Sequence, residues 1–134
     1  MAEGGCRCGA VRYRIRGDAI VHHALCHCRD CQHASGAPMV AWLAVPEDDF
    51  THLAGAPVHY RGPSGSVRAF CGVCGTPLWF INAETLPGIV DIQSVTLDEP
   101  DAFVPEAQIQ LADRRAWIDG MAQLPQFARY PGVE

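Results

Sequence analysis

The sequence predicts a mostly-β domain made of short strands, and three observations carry that prediction. Thirteen Gly and ten Pro in 134 residues punctuate the chain too often for long helices. Several runs of four to eight residues alternate apolar and polar side chains or are apolar throughout. No stretch shows a sustained helical period.

Ala10–Arg16 is the clearest element. Val11, Tyr13 and Ile15 fall on one face, Arg12, Arg14 and Arg16 on the other, the period-2 pattern of a half-buried strand. Gly17-Asp18 reads as a turn and Ala19–Leu25 as a second strand, so the two are expected to form a hairpin. Cys28–Ser35 is short and polar and stops at Gly36, which suits one or two helical turns. Met39–Val45 is an apolar run with Trp42 and reads as a well-buried strand. Val58–Arg61 and Ser66–Phe70 flank the turn Gly62-Pro63-Ser64-Gly65. Leu78–Ile81 and Ile89–Val95 are further strands, and Pro105–Leu111 is a weaker one. Asp113–Ile118 suits a helical turn, after which Pro125 and Pro131 mark an irregular tail.

The length suits one domain over residues 1–134. No apolar run approaches the roughly 20 residues needed to cross a bilayer, so no membrane partner is expected. Met1–Cys6 lacks a charged region and an apolar core, so no secretory signal is expected and the cytoplasm is the default compartment. All ten basic residues are arginine and the formal net charge is -5, which disfavours a nucleic-acid partner. Only Arg7, Arg12, Arg14 and Arg16 form a local basic strip.

The chemistry lies in seven cysteines, at 6, 8, 26, 28, 31, 71 and 74. They form Cys6-x-Cys8, Cys26-x-Cys28-x-x-Cys31 and Cys71-x-x-Cys74. One or two intervening residues let neighbouring thiolates converge on one ion. An odd number in a reducing compartment argues against disulfides. Cys71-Gly72-Val73-Cys74-Gly75 precedes a strand and not a long helix, which sets it apart from a thioredoxin-like redox motif and suits a zinc knuckle. Seven divides as four plus three. The pairs Cys6/Cys8 and Cys71/Cys74 can join in a closed four-thiolate structural zinc site. Cys26, Cys28 and Cys31 are complete as a three-ligand site with one open position. A rival division completes the triplet with His22, His23, His27 or His33.

Other residues are weaker candidates. His27, between two ligands, reads as a surface histidine. His33 is either a proton shuttle or a helix-surface residue. Asp30 is either a hydrogen-bond partner behind the ligands or a residue that stabilises the start of a helical turn. Arg29 and Arg61 are candidates to hold a substrate carboxylate. Trp42, Trp79 and Phe80 read as core.

Gly5-Cys6-Arg7-Cys8-Gly9-Ala10-Val11-Arg12-Tyr13, Cys26-His27-Cys28-Arg29-Asp30-Cys31 with Ser35-Gly36-Ala37-Pro38, and Phe70-Cys71-Gly72-Val73-Cys74-Gly75-Thr76-Pro77-Leu78 together resemble the glutathione-dependent formaldehyde-activating enzyme family, which shares its domain with centromere protein V. Arg114-Arg115-Ala116-Trp117-Ile118 and Leu124-Pro125-Gln126-Phe127 are also similar to it. The resemblance runs from about Gly4 to Pro131. It implies an Mss4-like fold of β-sheets organised around zinc. By position it implies that Cys6, Cys8, Cys71 and Cys74 hold structural zinc and that Cys26, Cys28 and Cys31 hold catalytic zinc. It further implies condensation of formaldehyde with glutathione to S-hydroxymethylglutathione, a carbon–sulfur lyase reaction run backwards.

A zinc with three thiolates carries net charge -1 and is a poor Lewis acid. It suits holding a soft substrate thiolate better than making hydroxide. The expected function is therefore a zinc-dependent carbon–sulfur lyase-type enzyme with two zinc ions per chain and a small thiol such as glutathione as substrate. The alternatives are a non-catalytic zinc-binding protein-interaction module and a thiol-based sensor. Oligomeric state is not legible.

Overall fold

A computed structural model describes residues 1–133. Ten strands run as β1 (Ala2–Gly5), β2 (Arg12–Ile15), β3 (His22–Cys26), β4 (Val40–Pro46), β5 (Phe50–Ala54), β6 (Val58–Arg61), β7 (Ser66–Phe70), β8 (Pro77–Asn82), β9 (Ile89–Gln93) and β10 (Ala107–Ile109). One helix, α1 (Arg29–Ser35), lies between β3 and β4, and the remaining elements are 3-10 turns. The mostly-β expectation holds. The strands form a three-stranded sheet, β1-β2-β5, and a seven-stranded sheet, β10-β3-β4-β9-β8-β7-β6. All pairings are antiparallel except β10 beside β3.

The period-2 pattern of β2 is real: Val11, Tyr13 and Ile15 are buried in the main core with Leu43, Val45, Leu78, Trp79, Val90 and Ile92. The expected hairpin with β3 does not form. β2 pairs instead with β1 and β5, two strands the sequence reading did not anticipate. Ala2-Glu3-Gly4-Gly5 has low strand propensity, and β5 is almost wholly exposed, so neither carries the alternation that marks a strand. The arginine face of β2 is neutralised. Arg12 pairs with Asp98, Arg14 with Glu3, and Arg16 with Asp18 and Asp49. The helical turn expected at Asp113–Ile118 is two 3-10 turns, Leu111–Asp113 and Ala116–Gln123.

β4 divides the interior. Leu43 and Val45 face the main core, while Val40 and Trp42, on the opposite face, form a second cluster with Cys26 and Cys31. Directly opposed residues in antiparallel strands share a face. The registers therefore lay one row across the large sheet: His22, Ala44, Asp91, Phe80, Arg68 and Tyr60, from β3 through β4, β9, β8 and β7 to β6. A second row, Ala24, Trp42 and Gln93, lies beside it. This face of the sheet underlies the candidate site.

Candidate metal and substrate site

Two turns of the same design hold the first cysteine group. Each thiol pair is followed by a glycine with positive φ, Gly9 at 81° and Gly75 at 83°, which lets the chain curl back at a conformation other residues rarely adopt. The curl points backbone N–H groups at sulfur: Val11 donates to Cys6 Sγ at 3.2 Å, and Val73 and Cys74 donate to Cys71 Sγ at 3.4 and 3.5 Å. Arg7 N–H reaches Thr76 Oγ1, joining the two turns. The sulfurs of Cys6, Cys8, Cys71 and Cys74 all lie within 4.8 Å of one another. Cys6–Cys8 is 3.6 Å and Cys8–Cys71 is 3.8 Å.

The second group is built by one strand end and one helix. Cys26 ends β3, Cys28 caps α1 by accepting from Cys31 N–H at 3.3 Å, and Cys31 sits in the first turn. Gly36 closes the helix with φ 71°. The three sulfurs again lie within 4.8 Å, with Cys26–Cys31 at 3.8 Å.

These spacings test the fit to a metal. A tetrahedron with Zn–S bonds of about 2.3 Å has S···S edges of roughly 3.8 Å. The observed separations match that edge, and all seven cysteines are free. Both groups could thus hold a metal ion, with the thiolate donors that zinc favours. Among the described residues, no imidazole or carboxylate joins the triplet's ligand atoms. The four histidines near it in sequence are otherwise placed. His22 faces Asp91 at 3.7 Å, His23 bonds Ser94 Oγ, His27 bonds Gln108 Oε1, and His33 is exposed. His27 is fully buried, which corrects the expectation of a surface histidine. Parallel pairing of β10 with β3 covers it and supplies Gln108 as its partner.

Trp42 and Arg68 surround Cys31. The indole N–H of Trp42 donates to Cys31 Sγ at 3.4 Å, and Arg68 Nη2 lies 4.0 Å from the same sulfur. The Arg68 guanidinium also bonds Asp30 at 2.7 Å and stands over the rings of Phe80 and Trp42, at 5.0 and 6.0 Å. The Cys31 thiol is pulled down to about 5, first by the Cys26 thiol, against burial, and then by Cys28, Trp42 and Arg68. Burial pushes the Asp91 carboxyl up, against the attraction of His22.

A cleft of about 510 Å³ opens between α1 and the Cys71–Cys74 turn. Asp30, His33, Trp42, Tyr60, Arg68 and Gln93 line it. The triplet cysteines are not themselves lining residues, but Trp42 and Arg68, the two donors to Cys31, are. Arg29 and Arg61, the arginines considered from sequence, lie outside this lining, whereas Arg68 is part of it. Arg68, Tyr60 and Gln93 were missed because nothing local marks them. Only the cross-strand registers bring them together. Trp42 and Trp79 are core, as expected, yet each also forms cleft wall.

Comparison with known proteins places the chain in a family. The family model for the glutathione-dependent formaldehyde-activating enzyme matches residues 1–113. A Halomonas elongata protein that carries this family name is 27% identical over 142 residues, covering 98% of this chain and 89% of the relative. A Schizosaccharomyces pombe protein whose name calls it a lyase is 28% identical over 118 residues, covering 75% of this chain and 82% of its own. A crystal structure of a Rhodobacter sphaeroides protein shares the fold, with a TM-score of 0.61 at 21% identity over 79% of this chain and 98% of that one. The chain belongs to the glutathione-dependent formaldehyde-activating enzyme family.

Proposed function

We propose that residues 1–134 form one zinc domain and that the chain is a zinc-dependent carbon–sulfur lyase-type enzyme acting on a small thiol adduct, with glutathione and formaldehyde the substrates its family name suggests. The carrying observation is the three-thiol group Cys26, Cys28 and Cys31, with no fourth protein ligand among the described residues, behind the wall of a cleft large enough for a small molecule. In this reading Cys6, Cys8, Cys71 and Cys74 hold a structural zinc, and the triplet holds a second, catalytic one. Seven free thiols suit a reducing compartment such as the cytoplasm.

When bound at the triplet, zinc supplies an open, soft position that lowers a substrate thiol's pKa and fixes its place. The chain's own groups do the rest. Trp42 and Arg68 hold the Cys31 sulfur by hydrogen bonds, and Arg68 presents a positive charge to the cleft, where a substrate carboxylate can exchange with Asp30. In the forward direction the substrate sulfur attacks the formaldehyde carbon and a C–S bond forms. The C=O π pair moves to oxygen, and the thiol's proton ends on that oxygen as the alcohol. His33, the histidine among the lining residues, is assigned to pass this proton.

Calorimetric titration of zinc-loaded protein with glutathione and with S-methylglutathione tests the reading, with Cys28→Ser as the control. Glutathione should bind and the thioether should bind far more weakly, because only the thiolate can take the open position. Equal binding, or none at millimolar concentration, defeats the proposal and leaves a protein-interaction module in the lead. Binding of other small thiols but not glutathione would preserve the site chemistry and change the substrate.

A further inference from the structure

Residues near the C-terminal end of the described chain are folded without being packed. Residues 114–133 turn through the 3-10 segment Ala116–Gln123, and every one is exposed except Ile118, which is partly covered. Among the described residues, each hydrogen bond they make stays within residues 111–133. Arg114 pairs with Asp119 and bonds Leu111 O, Arg115 reaches Asp113 O, and Gln126 bonds Ala122 O. The exposed side chains are large and apolar: Trp117 at 58%, Met121 at 52%, Leu124 at 59%, Phe127 at 56% and Tyr130 at 81%. Such a run of apolar groups on one segment marks an interaction surface and not scattered surface residues.

The surface area is of the size a second copy would cover. A compact 14.5 kDa chain exposes about 6,900 Å², whereas this chain exposes 8379 Å², an excess of about 1,500 Å². Two copies that hid that excess would bury about 3,000 Å², inside the range of roughly 2,000–5,000 Å² found in obligate homodimers. Charge agrees. Residues 114–133 carry three arginines and one acidic residue, a net charge of +2, while the rest of the chain carries seven basic and fourteen acidic residues, a net charge of -7, so the segment of one copy is attracted to the body of the other. Where the segment leaves the body, a shallow groove between Leu25 and Met39 on one side and Leu111, Ile118 and Met121 on the other remains unfilled. One chain thus supplies both an apolar segment and a mostly apolar groove, which two copies can exchange reciprocally about a two-fold axis.

We propose that the chain forms a two-fold homodimer in which residues 114–133 of each copy, led by Trp117, Leu124, Phe127 and Tyr130, are buried against the other copy. The residue just ahead of this segment touches the triplet's helix: Asp113 Oδ2 accepts from Arg29 N–H at 3.1 Å and Asp113 O accepts from Gln32 Nε2 at 3.0 Å, so the chain leading into the proposed interface straps the helix that carries Cys31.

Sedimentation equilibrium of the zinc-loaded full chain tests this, beside Leu124→Glu and Phe127→Glu. Both residues are exposed in the single chain, so neither change disturbs its core. Wild type should sediment at twice 14.5 kDa at micromolar concentration. Each variant should associate at least ~100-fold more weakly with unchanged zinc content, because a substitution at a two-fold interface appears twice. Trp42 and Trp79 are already buried, so a red shift of emission on dilution reports Trp117 leaving the interface. A wild type that stays at 14.5 kDa, variants that dimerise as well as wild type, or assembly into open polymers overturns the proposal. A monomer that co-floats with phosphatidylcholine vesicles also overturns it, in favour of a membrane surface.

Discussion

Replacing Trp42 by Phe removes one hydrogen-bond donor from the triplet and keeps an aromatic ring in the second core. The indole N–H is 3.4 Å from Cys31 Sγ, in a buried setting with little competing water. Its companion donor, Arg68, is longer at 4.0 Å and shares its guanidinium with Asp30. A hydrogen bond to a charged group contributes about 1.5–3 kcal/mol, and the diffuse charge of sulfur places this one at the low end, about 1.5 kcal/mol. That corresponds to a roughly tenfold loss in metal retention, the lower end of the ~10–100-fold found when groups behind metal ligands are removed. The ring's contact with Phe80, at a centroid distance of 6.0 Å, largely survives, so global stability should fall by only about 1–2 kcal/mol from the smaller volume. Zinc transfer to a chromophoric chelator, followed in time, resolves the two sites by rate. The prediction is a tenfold faster or more complete transfer from the triplet, with the four-thiol site unchanged. Unaltered transfer, or equal acceleration at both sites, would refute the role given to the indole.

The two thiol groups should also differ under direct attack. Metal analysis of protein purified without chelator should find two zinc ions per chain. Cys71→Ser should unfold the domain, since Cys71 is buried and its group ties positions 63 residues apart; clipping a loop of that length stabilises by about 4 kcal/mol on the chain-entropy model. Cys28→Ser should leave a folded protein holding less zinc, as circular dichroism beside metal analysis would show; equal loss of fold at both would contradict the division. At high pH, Tyr13 should dominate. Burial pushes its hydroxyl up to about 12, against the hydrogen bond to Thr96 at 2.7 Å. Its contribution is whole below the unfolded value near 10 and is lost as pH rises toward 12, because the unfolded chain ionises first. Tyr13→Phe should cost about 1 kcal/mol at neutral pH and flatten the loss of stability between about pH 10 and 12. Urea titrations across that range would measure both, and an unchanged slope would show that Tyr13 is not the titrating group.

The thiol groups were legible in the chain because ligand spacing is a local property. Cysteines one or two residues apart must bring their sulfurs together if the turn permits, and Gly9 and Gly75 permit it. Joining Cys6/Cys8 to Cys71/Cys74 needed only a count of ligands. The strands around Tyr13, Trp42, Val67 and Ile92 were legible for a similar reason, since alternation records burial residue by residue. Pairing is not local. The alternation of Val11, Tyr13 and Ile15 specifies a buried face and says nothing of which strand lies alongside, so β2 was expected beside β3 and lies between β1 and β5. The cleft follows the same logic more strongly. Tyr60, Arg68 and Gln93 come from three strands, and each is unremarkable in its own segment. They share one face only because the registers of β6 through β9 place them in cross-strand rows. His27 shows the limit at one residue. Its neighbours in sequence are two cysteines, but its burial is decided by β10, which arrives more than eighty positions later and brings Gln108 to its ring. Local spacing, then, determined which atoms can hold a metal, while long-range pairing decided what surrounds them, because burial and electrostatics depend on every strand that shares the face.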